Sequence, residues 1–142
     1  MSLEQHVQNV CKTAFYHIRN IAKIRNCLTQ KDNEALVHAF ISSKLDNYNS
    51  LLSELPQYQI DKLQRVQNAA SRLVTRTRKF DSITPVLKQL HWLPVKQRIS
   101  YKILLLIFKA LYGIAPRYIS DLLTQYVPIR TLRSLDKCFL KV

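Results

Sequence analysis

Glycine is nearly absent from this sequence, which has a single one, Gly113, among its 142 residues. β-Hairpins are commonly closed by Asn-Gly or Asp-Gly turns, and the sequence offers little from which to build them. The glycine-rich loops that hold mononucleotides and dinucleotides each require several glycines within a few residues. The composition therefore predicts a helical protein and excludes both kinds of nucleotide-binding loop.

Closely spaced metal-ligating and catalytic side chains are also missing. The three cysteines, Cys11, Cys27 and Cys138, form no close pair, so we interpret them as thiols in a reducing compartment. Neither they nor the four histidines have the spacing of a zinc site, and the nine acids are scattered and never adjacent. We therefore predict no metal site, no cofactor and no catalytic residue. A Cys or Ser nucleophile that meets a histidine only in space stays open as an alternative, without a local motif to support it.

Long apolar runs are lacking as well. The longest, residues 103–108, has six residues, far fewer than a membrane-spanning helix needs. Near the N-terminus, Glu4, His6 and Lys12 interrupt the segment where a signal peptide would need continuous apolar sequence. We predict an intracellular protein of the cytoplasm or nucleus that has no membrane partner.

Acidic residues are scarce in the second half of the chain. Residues 62–142 carry sixteen Lys or Arg against three Asp, whereas residues 1–61 carry six bases and six acids. The whole net charge of +13 therefore comes from the second half, where Phe80, Tyr101 and Phe108 are interleaved with the bases. Such a composition is typical of surfaces that follow phosphates and contact bases by stacking. It predicts the backbone of RNA or DNA as a partner, bound without sequence preference.

Apolar residues recur at helical spacing along most of the chain. The pattern predicts an all-α fold, a small bundle of about five or six helices over residues 1–126, followed by a loose basic tail over residues 127–142. The predicted helices run from a Ser2 capping box to about Asn26, from a Thr29 cap to Leu55, from Gln57 to Thr75, from a Thr84 cap to about Leu90, from Pro94 to a Gly113 cap, and onward from Pro116.

The same spacing predicts which side chains form the core. On the second helix we expect Phe40 and Ile41 to be buried, among others, and Trp92 to be a packing anchor between helices and not a platform for base stacking. The predicted buried faces of the third and fifth helices comprise Ile60, Leu63, Val66, Ala70, Leu73 and Val74, and Ile99, Ile103, Leu106, Ile107, Ala110 and Leu111.

Ten cationic residues are the candidates for contact with nucleic acid. The planar guanidinium of arginine suits phosphate oxygens, and a helix end with the connector after it, together with a long helix, could line one groove. The alternative interpretation is that these outward bases only keep the chain soluble. The candidates are Lys62, Arg65, Arg72, Arg76, Arg78, Lys79, Lys96, Arg98, Lys102 and Lys109.

Four stretches of the chain carry a specific resemblance: KLQRVQNAASRLV at 62–74, ITPVLKQLHWLPV at 83–95, YKILLL at 101–106 and LYGIAP at 111–116. They resemble the region after the polymerase palm in LINE-type, non-LTR retrotransposon reverse transcriptases of the jockey and chicken-repeat kind. Shorter matches at 2–7, 20–25, 45–46 and 130–134 extend the resemblance over essentially the whole chain.

The resemblance implies thumb helices that grip a template-primer duplex, followed by a C-terminal extension. The catalytic Tyr-x-Asp-Asp of that family lies upstream of this region, and no Asp-Asp occurs here. Without those carboxylates, the two magnesium ions of nucleotide transfer have no ligands. We therefore expect a non-catalytic fragment of an RNA-directed DNA polymerase, a remnant of a transposable element. Its partners would be nucleic acid, the rest of a reverse transcriptase or another helical protein. The alternatives are a helical interaction or dimerisation module and a mobile-element relic without function.

Overall fold

The computed structural model describes residues 2–47 and 49–123. Within these residues the chain forms helices and no strand, which confirms the predicted all-α class. The chain divides into two compact units, unit 1 (Met1–Ser100) and unit 2 (Tyr101–Val142). The predicted tail, and the predicted boundary at residue 126, lie outside the described residues. The α-helices are α1 (Leu3–Ile24), α2 (Gln30–Val37), α3 (Ser43–Asp46), α4 (Gln57–Thr75), α5 (Thr84–Gln89), α6 (Val95–Leu111) and α7 (Arg117–Ser120).

Helix α1 begins at the predicted capping box. The Gln5 backbone N–H donates to the Ser2 hydroxyl at 3.3 Å, and the Ser2 N–H donates to the Gln5 side chain at 3.2 Å. Val7, Ala14 and Ile21 lie seven residues apart and are buried, so they form one face of the helix. The most extensive packing of α1 is against α4.

The segment from Thr29 to Leu55 is not the single helix that we predicted. Thr29 caps α2 as expected, with the Asp32 N–H donating to its hydroxyl at 3.2 Å. A π-helix at His38–Ser42 follows, then α3 and, further on, a 3₁₀-helix at Asn49–Glu54. Because a π-turn changes the register of the side chains, Ile41 is fully buried as predicted, whereas Phe40 is 44% exposed, contrary to the prediction.

Helix α4 has the bounds that the sequence predicted, Gln57–Thr75. All six apolar residues of its predicted buried face are buried, from Ile60 at the start to Val74 at the end. Helix α4 contacts α1, α2 and α5, so it is the central element of unit 1.

Two buried or half-buried amides of α4 hold the turn that leads into α6. Gln67 Nε2 donates to the carbonyl oxygen of Leu93 at 2.8 Å, and the N–H of Val95 donates to Gln64 Oε1 at 2.8 Å. Gln64 Nε2 in turn donates to Gln67 Oε1 at 3.0 Å. This network supplies hydrogen-bond partners to the backbone groups on either side of Pro94.

Helix α5 begins at Thr84 with Ile83 as its N-cap, one residue earlier than predicted, and no side chain caps it. It ends in a Schellman motif, in which His91 has a left-handed φ of 55° and the Trp92 N–H donates to the Leu87 carbonyl at 2.9 Å. The motif turns Trp92 inward, and its side chain is 7% exposed, as expected of a packing anchor.

Helix α6 ends at the predicted glycine cap in unit 2. Gly113 has a φ of 69°, and the Ile114 N–H donates to the Lys109 carbonyl at 2.8 Å. The predicted apolar face of α6 is only partly covered: Ile99 and Ala110 are buried, but Leu106 and Leu111 are 40% and 43% exposed. We expected the last helix to run from Pro116 through Leu122 and Leu123, but α7 ends at Ser120, and Leu122 lies beyond it, exposed. Among the described residues, no helix has the length and apolar composition needed to cross a membrane.

Candidate nucleic-acid interface

The exposed side of α4 carries a row of cations. Lys62, Arg65, Arg72 and Arg76 follow one another at spacings of three, seven and four residues, which places them on one side of the helix. The opposite side is the buried face described above. We call these four residues the α4 basic stripe. Asp61 lies beside it, and its carboxylate accepts a hydrogen bond from Gln57 Nε2 at 2.8 Å.

The connector after α4 extends the stripe. Arg76 ends the helix with a left-handed φ of 58°, and Arg78 and Lys79 follow with exposed side chains. The Asp81 carboxylate accepts the Arg78 backbone N–H at 3.1 Å, which closes the connector as a turn. Phe80 is 94% exposed, and Lys79 Nζ lies 5.9 Å from the centre of its ring. The turn therefore presents two cations and an uncovered aromatic ring together.

Arg72 holds this connector in place. Its Nε donates to the Arg78 carbonyl at 3.2 Å and its Nη2 donates to the Asp81 carbonyl at 3.0 Å. The planar fork of arginine can make both bonds at once, which an ammonium group cannot do in the same geometry. Arg72 thus positions Arg78 and Lys79. It does so with the guanidinium N–H donors that we had predicted to contact phosphates.

Lys62 lies at the inner edge of the stripe. Its side chain is half-buried, with Nζ 5.2 Å from the centre of the Tyr58 ring. Its charge also reaches α1: burial raises the pKa of the Cys11 thiol, and the positive charge of Lys62 partly offsets that increase. Lys62 is consequently less available to a ligand than Arg65, which is exposed.

The candidates on α6 are placed differently. Arg98 Nη1 forms an ion pair with Asp46 Oδ1 at 3.0 Å and its side chain is only 16% exposed, so it fastens the start of α6 to α3. Lys96 is exposed in unit 1, and Lys102 and Lys109 are exposed in unit 2. Six of the ten candidates are therefore brought together, namely those of the α4 basic stripe and the connector.

A cleft of about 420 Å³ opens where α5 turns toward α6. Its walls are mostly apolar and include Leu87, Trp92 and Pro94, with Lys88 and His91 as its ionisable residues. None of the ten candidates lines it. The cleft therefore adds nothing to the predicted phosphate-contacting surface.

The sequence analysis missed a second surface that combines cations and rings, on the outer side of α1. Lys12, Tyr16, Arg19 and Lys23 are all exposed and share the side of α1 opposite its buried face. Next to them, the rings of His17 and Phe40 stack with centroids 5.1 Å apart. Because residues 1–61 have zero net charge, the charge count did not reveal this group of cations. The spacing of the three bases within a helix that has one acid, Glu4, was the signal that could have revealed it.

Within the described residues, no three His, Cys, Asp or Glu side chains are grouped so that they could hold a metal ion. Comparison of the chain with family models, with curated proteins and with solved structures finds no match.

Proposed function

We propose that this chain is a non-catalytic, intracellular C-terminal fragment of a LINE-type reverse transcriptase that binds the backbone of RNA or DNA without regard to sequence. The observation that carries the binding proposal is the continuity of the α4 basic stripe with the connector. Arg65, Arg76, Arg78 and Lys79 are all exposed there, and the hydrogen bonds of Arg72 join helix and connector.

The character of this surface favours phosphate contacts over reading of base edges. Lysine and arginine on a convex helix side neutralise phosphates and release counterions, which gives affinity that depends strongly on salt. Tyr58 is 53% exposed at the start of α4, and Phe80 is exposed at the connector. These rings supply sequence-tolerant stacking for an unpaired base.

The family and the lack of catalysis are supported by the sequence motifs alone. The KLQRVQNAASRLV stretch that resembles the region after the palm coincides with most of α4. The family's paired aspartates are not in this sequence. Incubation of purified chain with a primed RNA template, magnesium ions and deoxynucleotides should give no extended primer, and extension would contradict the proposal.

Charge reversal on the α4 surface tests the binding site. The triple variant R65E/R78E/K79E changes only exposed side chains and leaves Arg72 in place. We expect at least a tenfold loss of affinity for a fluorescein-labelled RNA–DNA duplex in anisotropy titrations. The slope of log affinity against log salt should decrease by about two to three, because each phosphate contact contributes roughly 0.9. Two duplexes of unrelated sequence should respond alike.

The matched control is K12E/R19E/K23E, which makes the same change in net charge on the outer side of α1. We expect this variant to retain most of the affinity. If both variants lose affinity equally, binding depends on total charge and the assignment to α4 is wrong. If neither loses affinity, the protein does not bind nucleic acid through these cations.

A further inference from the structure

The cleft where α5 turns toward α6 is built from residues that the fold holds in place. Leu87 and Trp92 line it and are buried, and the Trp92 N–H donates to the Leu87 carbonyl at 2.9 Å. Leu93 and Pro94 also line it, and the Leu93 carbonyl accepts a hydrogen bond from Gln67 of α4 at 2.8 Å. The walls of the cleft are therefore formed before any ligand enters, as in most small-molecule sites.

The volume of the cleft suits a small organic ligand. Its 420 Å³ or so falls within the range of about 300–1,000 Å³ that is typical of ligand pockets, and its walls are mostly apolar. The residues that line it all lie between Thr84 and Pro94, in unit 1. A compact ring system therefore fits the cleft better than a long acyl chain, which would extend beyond this single turn of the backbone.

The ionisable groups of the cleft are basic. Lys88 and His91 both line it and are exposed, and none of the described residues that line it is acidic. One ammonium beside an apolar surface matches a ligand with one negative charge, to which the imidazole can add a hydrogen bond. A doubly charged phosphate would lose more hydration against these apolar walls. The cleft thus favours a carboxylate.

From these observations we infer that the cleft binds a small apolar monocarboxylate with a compact ring body. The body lies against Leu87, Trp92 and Pro94. The carboxylate meets the Lys88 ammonium, and His91 supplies a second polar contact. Neither Lys88 nor His91 belongs to the α4 basic stripe or to the connector, so this inference does not depend on nucleic-acid binding.

The test uses the full chain and three compounds that share one apolar cage, namely adamantane-1-carboxylate, adamantane-1-carboxamide and 1-aminoadamantane. Trp92 is the only tryptophan in the sequence, so its emission reports on the cleft, and the compounds do not absorb where tryptophan does. Titration at physiological salt should change this emission saturably. We expect the carboxylate to bind at least fivefold more tightly than the amide, and the amine to bind most weakly. Ligand-observed NMR gives an independent affinity.

Two pairs of variants locate the site. K88E should reverse the preference, so that the amine binds more tightly than the carboxylate. K96E makes the same change at an exposed lysine that does not line the cleft and should keep the preference, which separates the site from the general attraction of anions to a chain of net charge +13. T84F adds a ring at an exposed lining residue and should weaken all three compounds at least tenfold. Q89F adds the same ring to α5 at an exposed residue outside the cleft and should have no effect.

Several results would overturn the inference. Equal affinity for the three compounds, or equal losses in K88E and K96E, would show that Lys88 does not select the charge. No response in emission or NMR to any compound would show that the cleft takes no ligand of this class. Binding that appears only after residues 124–142 are removed would make those residues the occupant. Single-stranded RNA that displaces the carboxylate and no longer binds T84F, with helicity unchanged by circular dichroism, would make the cleft a site for an unpaired base.

Discussion

Individual amide side chains of α4 determine how the second half of unit 1 is attached to that helix. Gln67 is 2% exposed, yet both ends of its amide have partners, the Leu93 carbonyl and Gln64 Nε2. A buried polar group is tolerated when it is fully hydrogen-bonded, and it becomes costly when one partner is removed. A glutamine thus occupies a buried helix position that sequence patterns usually assign to an apolar residue.

Replacement of Gln67 by leucine tests this attachment. Leucine has a similar volume but leaves the Leu93 carbonyl and one donor of Gln64 without partners. We expect the free energy of unfolding to fall by about 1–3 kcal/mol in urea titrations. The same change at Gln89, which is exposed on α5, should have little effect. Equal stability of the two variants would show that the network contributes nothing.

At the level of the element, the connector of residues 76–83 owes its shape to a side chain from the helix before it. Arg72 binds two of its carbonyls, and Asp81 binds its N–H at Arg78. The connector is therefore ordered by side-chain contacts and not by its own periodic hydrogen bonds. The position of Arg78 and Lys79 depends on that order.

Removal of Arg72 should loosen the connector. In R72A, and also in R72K because an ammonium lacks the planar fork, we expect trypsin to cleave after Arg78 and Lys79 several times faster. Limited proteolysis with mass spectrometry measures this directly. R65A, which changes an exposed arginine of the same stripe, is the control and should be cleaved at those sites at the wild-type rate. Unchanged cleavage in R72A would mean that the turn is held by other contacts.

Local sequence predicted the elements where the determining residues are close together in the chain. The predicted helix ends at Ser2, Thr29 and Gly113 each depend on residues within three or four positions, and all three predicted caps are confirmed. The left-handed conformation of Arg76 and His91 could not be predicted, because only a few per cent of non-glycine residues adopt it, even though histidine does so more often than most.

Long-range contacts explain the rest of the difference between prediction and structure. Gln67 and Leu93 are 26 residues apart, and Arg98 and Asp46 are 52 apart, so no local pattern reveals either bond. For the candidate site, the sequence predicted that cations at the end of α4 and in the connector after it could line one groove. It could not show that Arg72 and Arg98 direct donors to protein acceptors.

At the scale of the whole molecule, buried apolar surface is distributed unequally. Among the described residues, every buried hydrophobic side chain except Ala110 belongs to unit 1. Unit 2 instead contains many exposed large apolar side chains, including Tyr112, Ile114 and Tyr118. Because stability in a protein follows burial locally, the two units should differ in how often their hydrogen bonds open.

Native-state hydrogen exchange measures this difference. We expect the backbone amides of α1 and α4 to exchange slowest. Those of α6 beyond Ser100 should exchange at least about tenfold faster, since few buried contacts oppose opening there. Equal protection along α4 and the second half of α6 in the free protein would contradict this prediction.

The π-helix at His38–Ser42 has a consequence for how this chain tolerates changes of length. A π-helical turn contains one residue more than an α-helical turn, so it corresponds to a regular helix with a single residue inserted. A chain shortened by one residue at Ala39 would run as an uninterrupted α-helix from Gln30 through Asp46. The ring of Phe40 would then rotate away from His17, and the aromatic pair on the outer surface would be lost.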